Sequence, residues 1–423
     1  MSGAGLDRRE SRGRGPGRRT SLFIVTEAYY PDEVGVPFYL RHLAEGLAGE
    51  FRVRVLCGFP IYDGRGAPAP TVETRGGVGI RRIRGTVFDK HKLLLRIVNL
   101  ATISVSIFFR AAREIRRGDA VIVTTSPPLL PFTVKAACAL KGAACILRVD
   151  DVYPEALIAA RMLPERSPLA AGLRALNGWL YRRVDAVVAV GRDMAELVVT
   201  RAGRRPRRLE VIPNWADVDV VGPAPKADNE LLRTLGARET FVVLCAGNMG
   251  RAQAVETMFG AAERLKENPG IRFLFIGSGA KRPWMEREAR ARGLTRVTIL
   301  DQRPRAEQSV FLNAGDVSMV SLMPGMTGAG VPSRLYNIMA AGKAVIAVAP
   351  PESEVCRVVR EEGIGWIVDP DRPDLLAEAV LAAARDPAAL AAMGRRARAA
   401  AVGRYSRPAI IGRYRGLVER FLE

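Results

Sequence analysis

Histidine is almost absent from this sequence, and cysteine is scarce and unpaired. Only His42 and His91 occur among 423 residues, so a histidine-built metal site or a Ser-His-Asp triad has little material. The five cysteines include no Cys-x-x-Cys pair, and most of them have apolar neighbours, which predicts buried, reduced thiols. The protein is therefore expected in a reducing compartment.

The sequence also predicts neither a leader peptide nor aromatic residues placed to stack on bases. No hydrophobic run follows the positive charges of residues 1–19, so we predict a disordered basic N-terminus and no signal peptide. The formal charge of +20 includes arginine clusters within 1–20 and 201–208, but aromatics are only 6% of the chain and do not interleave with them. We therefore expect no nucleic acid partner. An anionic membrane surface, an anionic small molecule and simple solvation of the arginines all remain open.

From Ser21 onwards, apolar runs alternate with helical stretches. The runs are continuous, as in strands covered on both faces of a parallel sheet, and the helices between them complete β-α-β units. A break rich in Pro, Asp and Asn at 212–229 separates two such series. The predicted strands are 21–26, 52–57, 79–84, 120–125, 144–149, 186–190 and 209–212, then 241–247, 271–277, 296–300, 316–322, 344–348 and 365–368.

These patterns predict an α/β chain with two doubly wound parallel-sheet domains. A length of 423 residues also exceeds what one hydrophobic core normally serves. The predicted units are 20–217 and 218–400, followed by a C-terminal helix at 401–423 that packs back towards the first domain. The Ala- and Arg-rich stretch 373–400 is predicted to be helical.

The segment 93–109 is nearly all apolar and is flanked by basic residues. It has 17 residues, fewer than the roughly 20 that a spanning helix needs, and it contains Arg96 and Asn99. Its polar residues recur at helical spacing and form a narrow stripe. Two interpretations are equally open: a helix resting in a membrane interface, and a helix packed on the first sheet.

Residues 327–348 carry the clearest signs of a binding site. Gly328 and Gly330 permit close approach of the backbone to a ligand, and Pro332 and Ser333 are suited to begin a helix. Arg334 adds a cation beside the free N–H groups of that helix, a combination that binds phosphate. In "CAGNMGRAQAVETM" (245–258), glycines again precede a helix, so two helix N-termini could converge on one diphosphate.

Several segments, in order, resemble glycosyltransferases of the GT-B fold within the large retaining family 4. The subgroup of bacterial exopolysaccharide and O-antigen enzymes is the most similar. The likeness covers nearly the whole chain from residue 21. The segments are "YYPDEVGVP" (29–37), "TTSPPLL" (124–130), "DDVYPEAL" (150–157), "VIPNWAD" (211–217), "AGNMGRAQAVETM" (246–258), "FIGSGAKR" (275–282), "VPSRLYNIMAAGKAVIAV" (331–348) and "PESEV" (351–355).

The resemblance implies two Rossmann-like domains facing a central cleft, with the nucleotide sugar on the second. Arg334 is expected to bind phosphate oxygens, and the Gly247 turn to approach the diphosphate through its backbone. The donor-side residues singled out are Gly247, Asn248, Met249, Gly250, Arg251, Gly277, Gly330, Val331, Pro332, Ser333, Arg334 and Asn337. The cleft residues on the acceptor side are Asp32, Gly35, Asp151, Tyr153 and Glu155.

The sequence departs from the family pattern in two places. Many members carry Glu-x7-Glu where this chain has Ala329 and Asn337, so a carboxylate grip on the donor sugar is missing. We expect the backbone of 327–330 to hold the sugar instead, with Asn337 able to contact the ribose. The arginine and lysine usual after the first glycine are replaced by Asn248 and Gln253, and Arg251 is our hypothesis for a substitute.

The implied chemistry is transfer of a sugar with retention of configuration and without a metal cofactor. Departure of a nucleotide diphosphate creates an oxocarbenium-like sugar and a developing negative charge, which Arg334 and the helix N-termini are suited to stabilise. Asp151 is a candidate base, and an equally open interpretation is a cap formed with Asp150. The Asp217-x-Asp219 pattern resembles a metal motif, but its place in the linker favours a structural role.

The expected activity is transfer of a hexosyl or N-acetylhexosaminyl group from a UDP-sugar to a hydroxyl acceptor. We expect this acceptor to be lipid-linked or a saccharide, in the assembly of a cell-surface polysaccharide or glycolipid. The expected location is the cytoplasm, peripherally at the inner face of the plasma membrane. One alternative is an epimerase or hydrolase of sugar nucleotides on the same scaffold, which the scarcity of histidine disfavours. The other is a non-enzymatic binder of nucleic acid or lipid head groups, which a salt titration of DNA binding would test.

Overall fold

The computed structural model describes residues 20–60, 69–88 and 92–422. Residues 1–19, for which disorder is predicted, lie outside this part of the chain. Within it the chain forms two α/β units, each built on its own sheet, with eight strands in the first and six in the second. The doubly wound α/β architecture expected from the sequence is confirmed.

The N-terminal sheet has the strand order β3-β4-β2-β1-β5-β6-β7-β8. Its strands are β1 (Ser21–Val25), β2 (Arg52–Cys57), β3 (Val72–Arg75), β4 (Val78–Arg82), β5 (Ala120–Thr124), β6 (Ala144–Val149), β7 (Ala186–Ala189) and β8 (Leu209–Val211). The helices are α1 (Val36–Leu47), α2 (Leu93–Glu114), α3 (Leu130–Lys141), α4 (Glu155–Ala159), α5 (Pro168–Arg183) and α6 (Arg192–Ala202). Strand β3 pairs antiparallel with β4, and the sequence analysis missed it because its "VETR" is too polar to give an apolar run.

The C-terminal sheet has the order β11-β10-β9-β12-β13-β14, with parallel pairing throughout its described strands. Its strands are β9 (Phe241–Ala246), β10 (Ile271–Ile276), β11 (Val297–Leu300), β12 (Val317–Ser321), β13 (Ala344–Val348) and β14 (Gly365–Val368). The helices are α7 (Glu230–Thr234), α8 (Val255–Arg264), α9 (Arg282–Ala291), α10 (Gln308–Asn313), α11 (Arg334–Ala340), α12 (Glu354–Glu362), α13 (Pro373–Arg385), α14 (Pro387–Gly403) and α15 (Arg407–Leu422).

The stretch 373–400 is helical, as predicted, and consists of two helices. Helix α13 ends at Arg385 and α14 begins at Pro387, which occupies the first turn, where its missing N–H costs nothing. The carboxylate of Asp386 caps the new helix by accepting the N–H of Ala389 at 2.8 Å. A proline preceded by a capping residue is thus the local cause of the break.

Helix α2 presents three different faces. Ile103, Ile107 and Ala111 are buried in the core of the N-terminal domain. The polar stripe faces the preceding segment, where Asn99 and Thr102 bond to Thr86 and to the backbone of Phe88. The third face is exposed and apolar; it consists of Leu94, Ile97, Val98, Val105 and Phe109. Packing against the N-terminal domain therefore explains the buried and polar faces of α2 but not its exposed apolar face.

The last helix, α15, belongs to the core of the N-terminal domain although it follows the C-terminal domain in sequence. Ile410, Tyr414 and Val418 are fully buried there, in the same cluster as residues of α1 and β1. The segment that links the two domains is also held by contacts with its surroundings. Trp215 is fully buried and its ring lies 4.8 Å from that of Tyr39, while the N–H of Ala216 donates to the Tyr405 carbonyl at 2.7 Å.

Arg148 on β6 joins these parts from inside the protein. Its guanidinium is fully buried and bonds the carboxylate of Asp150 at 3.0 Å, the Tyr414 hydroxyl at 2.9 Å and the Asn214 carbonyl oxygen at 2.8 Å. Asp150 holds the pKa of this guanidinium above its usual range, against the opposing effect of burial. One buried cation thus connects the first sheet, the linker and the final helix.

We predict that Arg148→Met lowers the free energy of unfolding by about 3–5 kcal/mol, because it leaves the buried Asp150 without its cation. Tyr414→Phe removes one bond to a charged group and should cost about 1–3 kcal/mol. Urea denaturation measures both, with the exposed Arg395→Met as control, for which a change within about 0.5 kcal/mol is expected. Equal costs for Arg148→Met and the control would contradict this role.

Candidate active site

The glycine-bearing loop after β9 lies directly against the loop after β10. The N–H of Met249 donates to the Ser278 carbonyl at 2.7 Å, and the N–H of Gly247 donates to the Ile276 carbonyl at 2.8 Å. Any side chain at Gly277 would collide with the Gly247 carbonyl oxygen, because an ideal Cβ there would lie 2.0 Å from it. The Met249 side chain is buried in the domain core, so only its backbone can serve a ligand.

Arg334, the first residue of α11, reaches across to this loop. Its guanidinium donates to the Asn248 carbonyl at 3.0 Å and is half-buried. Gly247 makes this possible, since a Cβ at that position would lie 3.0 Å from Arg334 Cζ. Burial lowers the pKa of the Arg334 guanidinium, partly offset by the neighbouring Cys245, but arginine stays charged in proteins. A fixed cation therefore stands beside the turn predicted to bind phosphate.

The start of α11 is held by the N-terminal domain and the linker. Ser333 occupies the N-cap position, but its side chain makes no capping hydrogen bond; burial raises the pKa of the nearby Tyr39, and Ser333 partly offsets this effect. Asn337 is buried, and its Oδ1 accepts the N–H of Asp217 at 2.9 Å. One lone pair of that oxygen is therefore used by the linker, which leaves the amide nitrogen and the second lone pair of Asn337 for a ribose.

Residues 328–331 are bonded to the N-terminal domain through their backbone. Gly330 forms an antiparallel bridge with Asp151, in which the N–H of Val152 donates to the Ala329 carbonyl at 2.9 Å. The N–H of Gly328 donates to Asp193 at 3.0 Å, and Val331 packs against the N-terminal core. Pro332 follows at the entrance to α11. Two of the backbone groups of 327–330 that were expected to hold the donor sugar, the Gly328 N–H and the Ala329 carbonyl, are used in these contacts.

Asp193, near the start of α6, is the main site residue that the sequence analysis missed. It is buried, and its Oδ2 accepts the N–H groups of Gly328 and Glu354, both at 3.0 Å. The neighbouring Arg192 bonds Glu354 at 3.0 Å, so the first turns of α6 and α12 are joined across the domain interface. An Asp at the start of a helix usually caps that helix, which is why sequence alone gave no signal for this contact.

Asp151 lies at the end of β6, next to Gly330. An ideal Cβ at Gly330 would lie 3.1 Å from Asp151 Oδ1, a tight contact that glycine avoids. The Thr125 hydroxyl accepts the N–H groups of Asp150 and Asp151 at 3.2 and 3.3 Å. Burial, and then the charge of Asp150, raise the pKa of Asp151 to about 6. A carboxyl group of this kind can exchange a proton near neutral pH.

The other predicted acceptor-side residues divide into two groups. Gly35 precedes α1 with φ of 71°, is exposed, and an added Cβ would meet no atom within 4 Å, so it borders open space. Asp32 is fully buried beneath it. Glu155, however, is buried and pairs with Arg174 at 3.0 Å and Arg201 at 2.7 Å, so it is an internal anion and not a cleft residue. The Tyr153 carbonyl accepts from Asn177 at 2.8 Å.

Two further cations of the C-terminal domain lie near the cleft. Arg251 is exposed on the turn that precedes α8. Arg305, which the sequence analysis did not single out, stacks on Phe38 of α1 with its Cζ 3.2 Å from the ring centroid, and lies 3.9 Å from Asp217. Burial lowers the pKa of Arg305. This stacking is a second contact between the domains, on the side of the cleft that holds α1.

The Asp217-x-Asp219 pattern does not bring its carboxylates together with other ligands. Asp217 is buried beside Arg305, and Asp219 pairs with Arg407 at 2.7 Å. Within the described residues, no three His, Cys, Asp or Glu side chains are placed to hold a metal ion.

Comparison with known proteins assigns both halves of the chain. Residues 34–215 match the family described as "Glycosyl transferase 4-like domain", and residues 230–400 match "Glycosyl transferases group 1". The chain is 32% identical over 363 residues to the probable glycosyltransferase WbjE of Pseudomonas aeruginosa, covering 85% of this chain and 88% of that protein. It is 25% identical over 367 residues to the putative colanic acid biosynthesis glycosyl transferase WcaI of Escherichia coli strain K12, covering 84% and 90%.

Solved structures share the fold at low sequence identity. Sucrose-phosphate synthase from Thermosynechococcus elongatus superposes with a TM-score of 0.75 at 18% identity, covering 95% of this chain and 99% of that one. Anabaena HepE in complex with UDP and glucose superposes with a TM-score of 0.73 at 14% identity, covering 95% and 100%. Taken together with the sequence matches, these likenesses show that the chain belongs to the family 4-like glycosyltransferases and is a glycosyltransferase of the GT-B fold.

Proposed function

We propose that this enzyme transfers a sugar from a UDP-sugar to a hydroxyl of a lipid-linked acceptor during assembly of a cell-surface polysaccharide. The observation that carries the proposal is Arg334, held at 3.0 Å from the Asn248 carbonyl at the mouth of the glycine loop. HepE, which shares the fold, is described in complex with UDP and with UDP-glucose, and WcaI is named for colanic acid biosynthesis. These names support the donor and pathway classes.

The proposed chemistry breaks the bond between the anomeric carbon and the diphosphate oxygen, whose electron pair leaves with UDP. The oxocarbenium-like sugar is then attacked by the acceptor oxygen from the same face, which retains the configuration. Asp151 accepts the hydroxyl proton. Arg334 and the N-termini of α8 and α11 stabilise the charge of the leaving group, so the proposal requires no metal.

The proposed acceptor is tied to a membrane because of the exposed apolar face of α2. Leu94 is 77% exposed and Phe109 54% exposed, and both lie on the same face of the helix. The exposed cations Lys92, Arg113, Arg116 and Arg117 flank the helix and suit anionic head groups. Along the described residues, no helix combines the length and apolarity that a membrane crossing requires. Peripheral attachment through α2 is the mode of binding proposed.

We predict that a UDP-sugar raises the thermal midpoint of the protein and that Arg334→Ala largely abolishes the shift, because a charge-assisted contact to phosphate is lost. A panel of nucleotide sugars in a thermal shift assay measures this, with the exposed Arg395→Ala as matched control. Absence of any shift across the panel for the wild type would contradict the proposed donor site.

We predict that kcat/KM for transfer falls about tenfold per unit as the pH drops below about 6, because Asp151 must be ionised to accept the hydroxyl proton. Asp151→Asn should lose this dependence together with most of the activity. The folded pKa exceeds the usual value of about 3.9, so protonated Asp151 stabilises the fold at low pH and this contribution is lost as the pH rises through about 6.

The stability of the same variant separates function from folding. Asp151→Asn removes a carboxylate whose charged form burial disfavours, so its thermal midpoint at pH 8 should equal or exceed that of the wild type. A clear loss of stability at pH 8 would show that Asp151 is a structural cap, the other interpretation of this residue. Asp228→Asn, at an exposed position, is the control.

We predict that replacing Ile97 and Phe109 together by serine reduces sedimentation with anionic phospholipid vesicles at least tenfold, since two exposed apolar side chains are removed from the proposed lipid contact. Val402→Ser, an exposed apolar residue on the C-terminal domain, should bind as the wild type does. Unchanged sedimentation of the double variant would remove the basis for a membrane-bound acceptor.

A further inference from the structure

Lys281 lies on the loop that runs from β10 into α9, and its side chain turns back over the loop that follows β9. Its N–H donates to the Met249 carbonyl at 3.0 Å, which fixes its backbone on that loop. Its ammonium group donates to the Gln253 carbonyl at 2.8 Å and to Glu256 Oε2 at 2.6 Å. The side chain is only 15% exposed. Lys281 is thus a held cation near the start of α8.

Its position matters because the loop that follows β9 has few cations of its own. Residues 248 and 253 are the uncharged Asn248 and Gln253, and the loop's own cation, Arg251, is exposed to solvent. The two cations contributed by other segments contact the backbone at the same places. Arg334 bonds the carbonyl of residue 248, and Lys281 bonds the carbonyl of residue 253. Cations from two other segments therefore contact this loop, one near each of its ends.

The loop between these cations has donors to spare. Along the described chain, no acceptor takes the N–H groups of Asn248, Gly250, Arg251 or Ala252. The ammonium of Lys281 has three N–H donors, which face the Gln253 carbonyl, Glu256 and, at 4.0 Å, the weak acceptor Met323 Sδ. Free backbone donors flanked by cations form an anion-binding concavity. A diphosphate has the charge and the number of acceptor oxygens to fill it.

We propose that Lys281 is the second cation of the donor diphosphate site and that Glu256 holds its ammonium in place until the nucleotide binds. The proposal rests on the proposed function, because it assigns a further residue to the same donor site. On binding, the ammonium exchanges the Glu256 carboxylate for a phosphate oxygen, a short movement for a flexible side chain. The negative charge on the diphosphate grows as the sugar leaves, so Lys281 acts on kcat as well as on affinity.

The test uses variants for which a structural role and a phosphate-binding role of Lys281 predict different changes in UDP affinity. Lys281→Met should weaken UDP binding about tenfold or more, measured by isothermal titration calorimetry on the full chain. Lys281→Arg should restore a large part of the loss. Glu256→Gln frees the ammonium, so UDP should bind as tightly as to the wild type or more tightly. Lys266→Met, an exposed lysine on the loop after α8, is the control.

Three outcomes overturn the proposal, and they are distinguishable. If Lys281→Met and Glu256→Gln weaken UDP binding equally and both lower the thermal midpoint of the free protein, the pair only supports the loops. If Arg334→Ala loses UDP while Lys281→Met binds it normally, the donor site stands and Lys281 has no part in it. If the wild type binds no uridine nucleotide, the proposed function itself fails.

Discussion

The bonding of residues 328–331 between the two domains is the constraint on which the candidate site depends. The Asp193 carboxylate receives backbone N–H groups from Gly328 and Glu354, and the short bridge between Asp151 and Gly330 runs beside it. Both contacts bind backbone groups of residues 328–331. They therefore constrain the path of the main chain there and depend little on the side chains of the segment. Because this segment leads directly into α11, it also determines where Arg334 stands and how near Asp151 comes to the donor side.

The electrostatics of the site follow from this arrangement. A half-buried guanidinium loses hydration, which lowers its pKa, and recovers only part of that interaction from the Asn248 carbonyl. Such a cation is held in place before any ligand arrives, so no reorganisation is needed when negative charge develops nearby. Glycines at 247, 277 and 330 favour close approach, since an ideal Cβ at these positions would lie 3.0, 2.0 and 3.1 Å from an atom of another residue. The placement of the Arg334 side chain thus depends on the small size of the glycines around it.

Much of the fold could be predicted from the sequence because strands buried on both faces are continuous apolar runs. Each predicted strand, from "SLFIVT" to "GWIV", corresponds to a strand of the structure. The edge strand β3 is polar and paired on one side only, so it left no such pattern. The break at Pro387 was missed because the composition around it remains typical of a helix.

The site was less predictable, because its side chains are committed by tertiary contacts. The pattern around Glu155 suggested a cleft residue, yet Arg174 and Arg201 from two other helices take its carboxylate. Asn337 likewise gives its oxygen to the linker, and Asp193 serves the opposite domain. Spacing along the chain indicates which loops meet at the strand ends. It does not indicate which polar side chains there already have hydrogen-bond or ion-pair partners in the protein. Those partners determine which side chains remain available to bind a substrate.

The most direct test of the account is a crystal structure of the enzyme with UDP. The account predicts that the pyrophosphate oxygens lie within hydrogen-bonding distance of the Arg334 guanidinium and of the backbone N–H groups that follow Gly247. The uridine would then extend towards the ends of β10 and β11. A nucleotide bound with its phosphates away from Arg334, or density at a different surface of the protein, would contradict it.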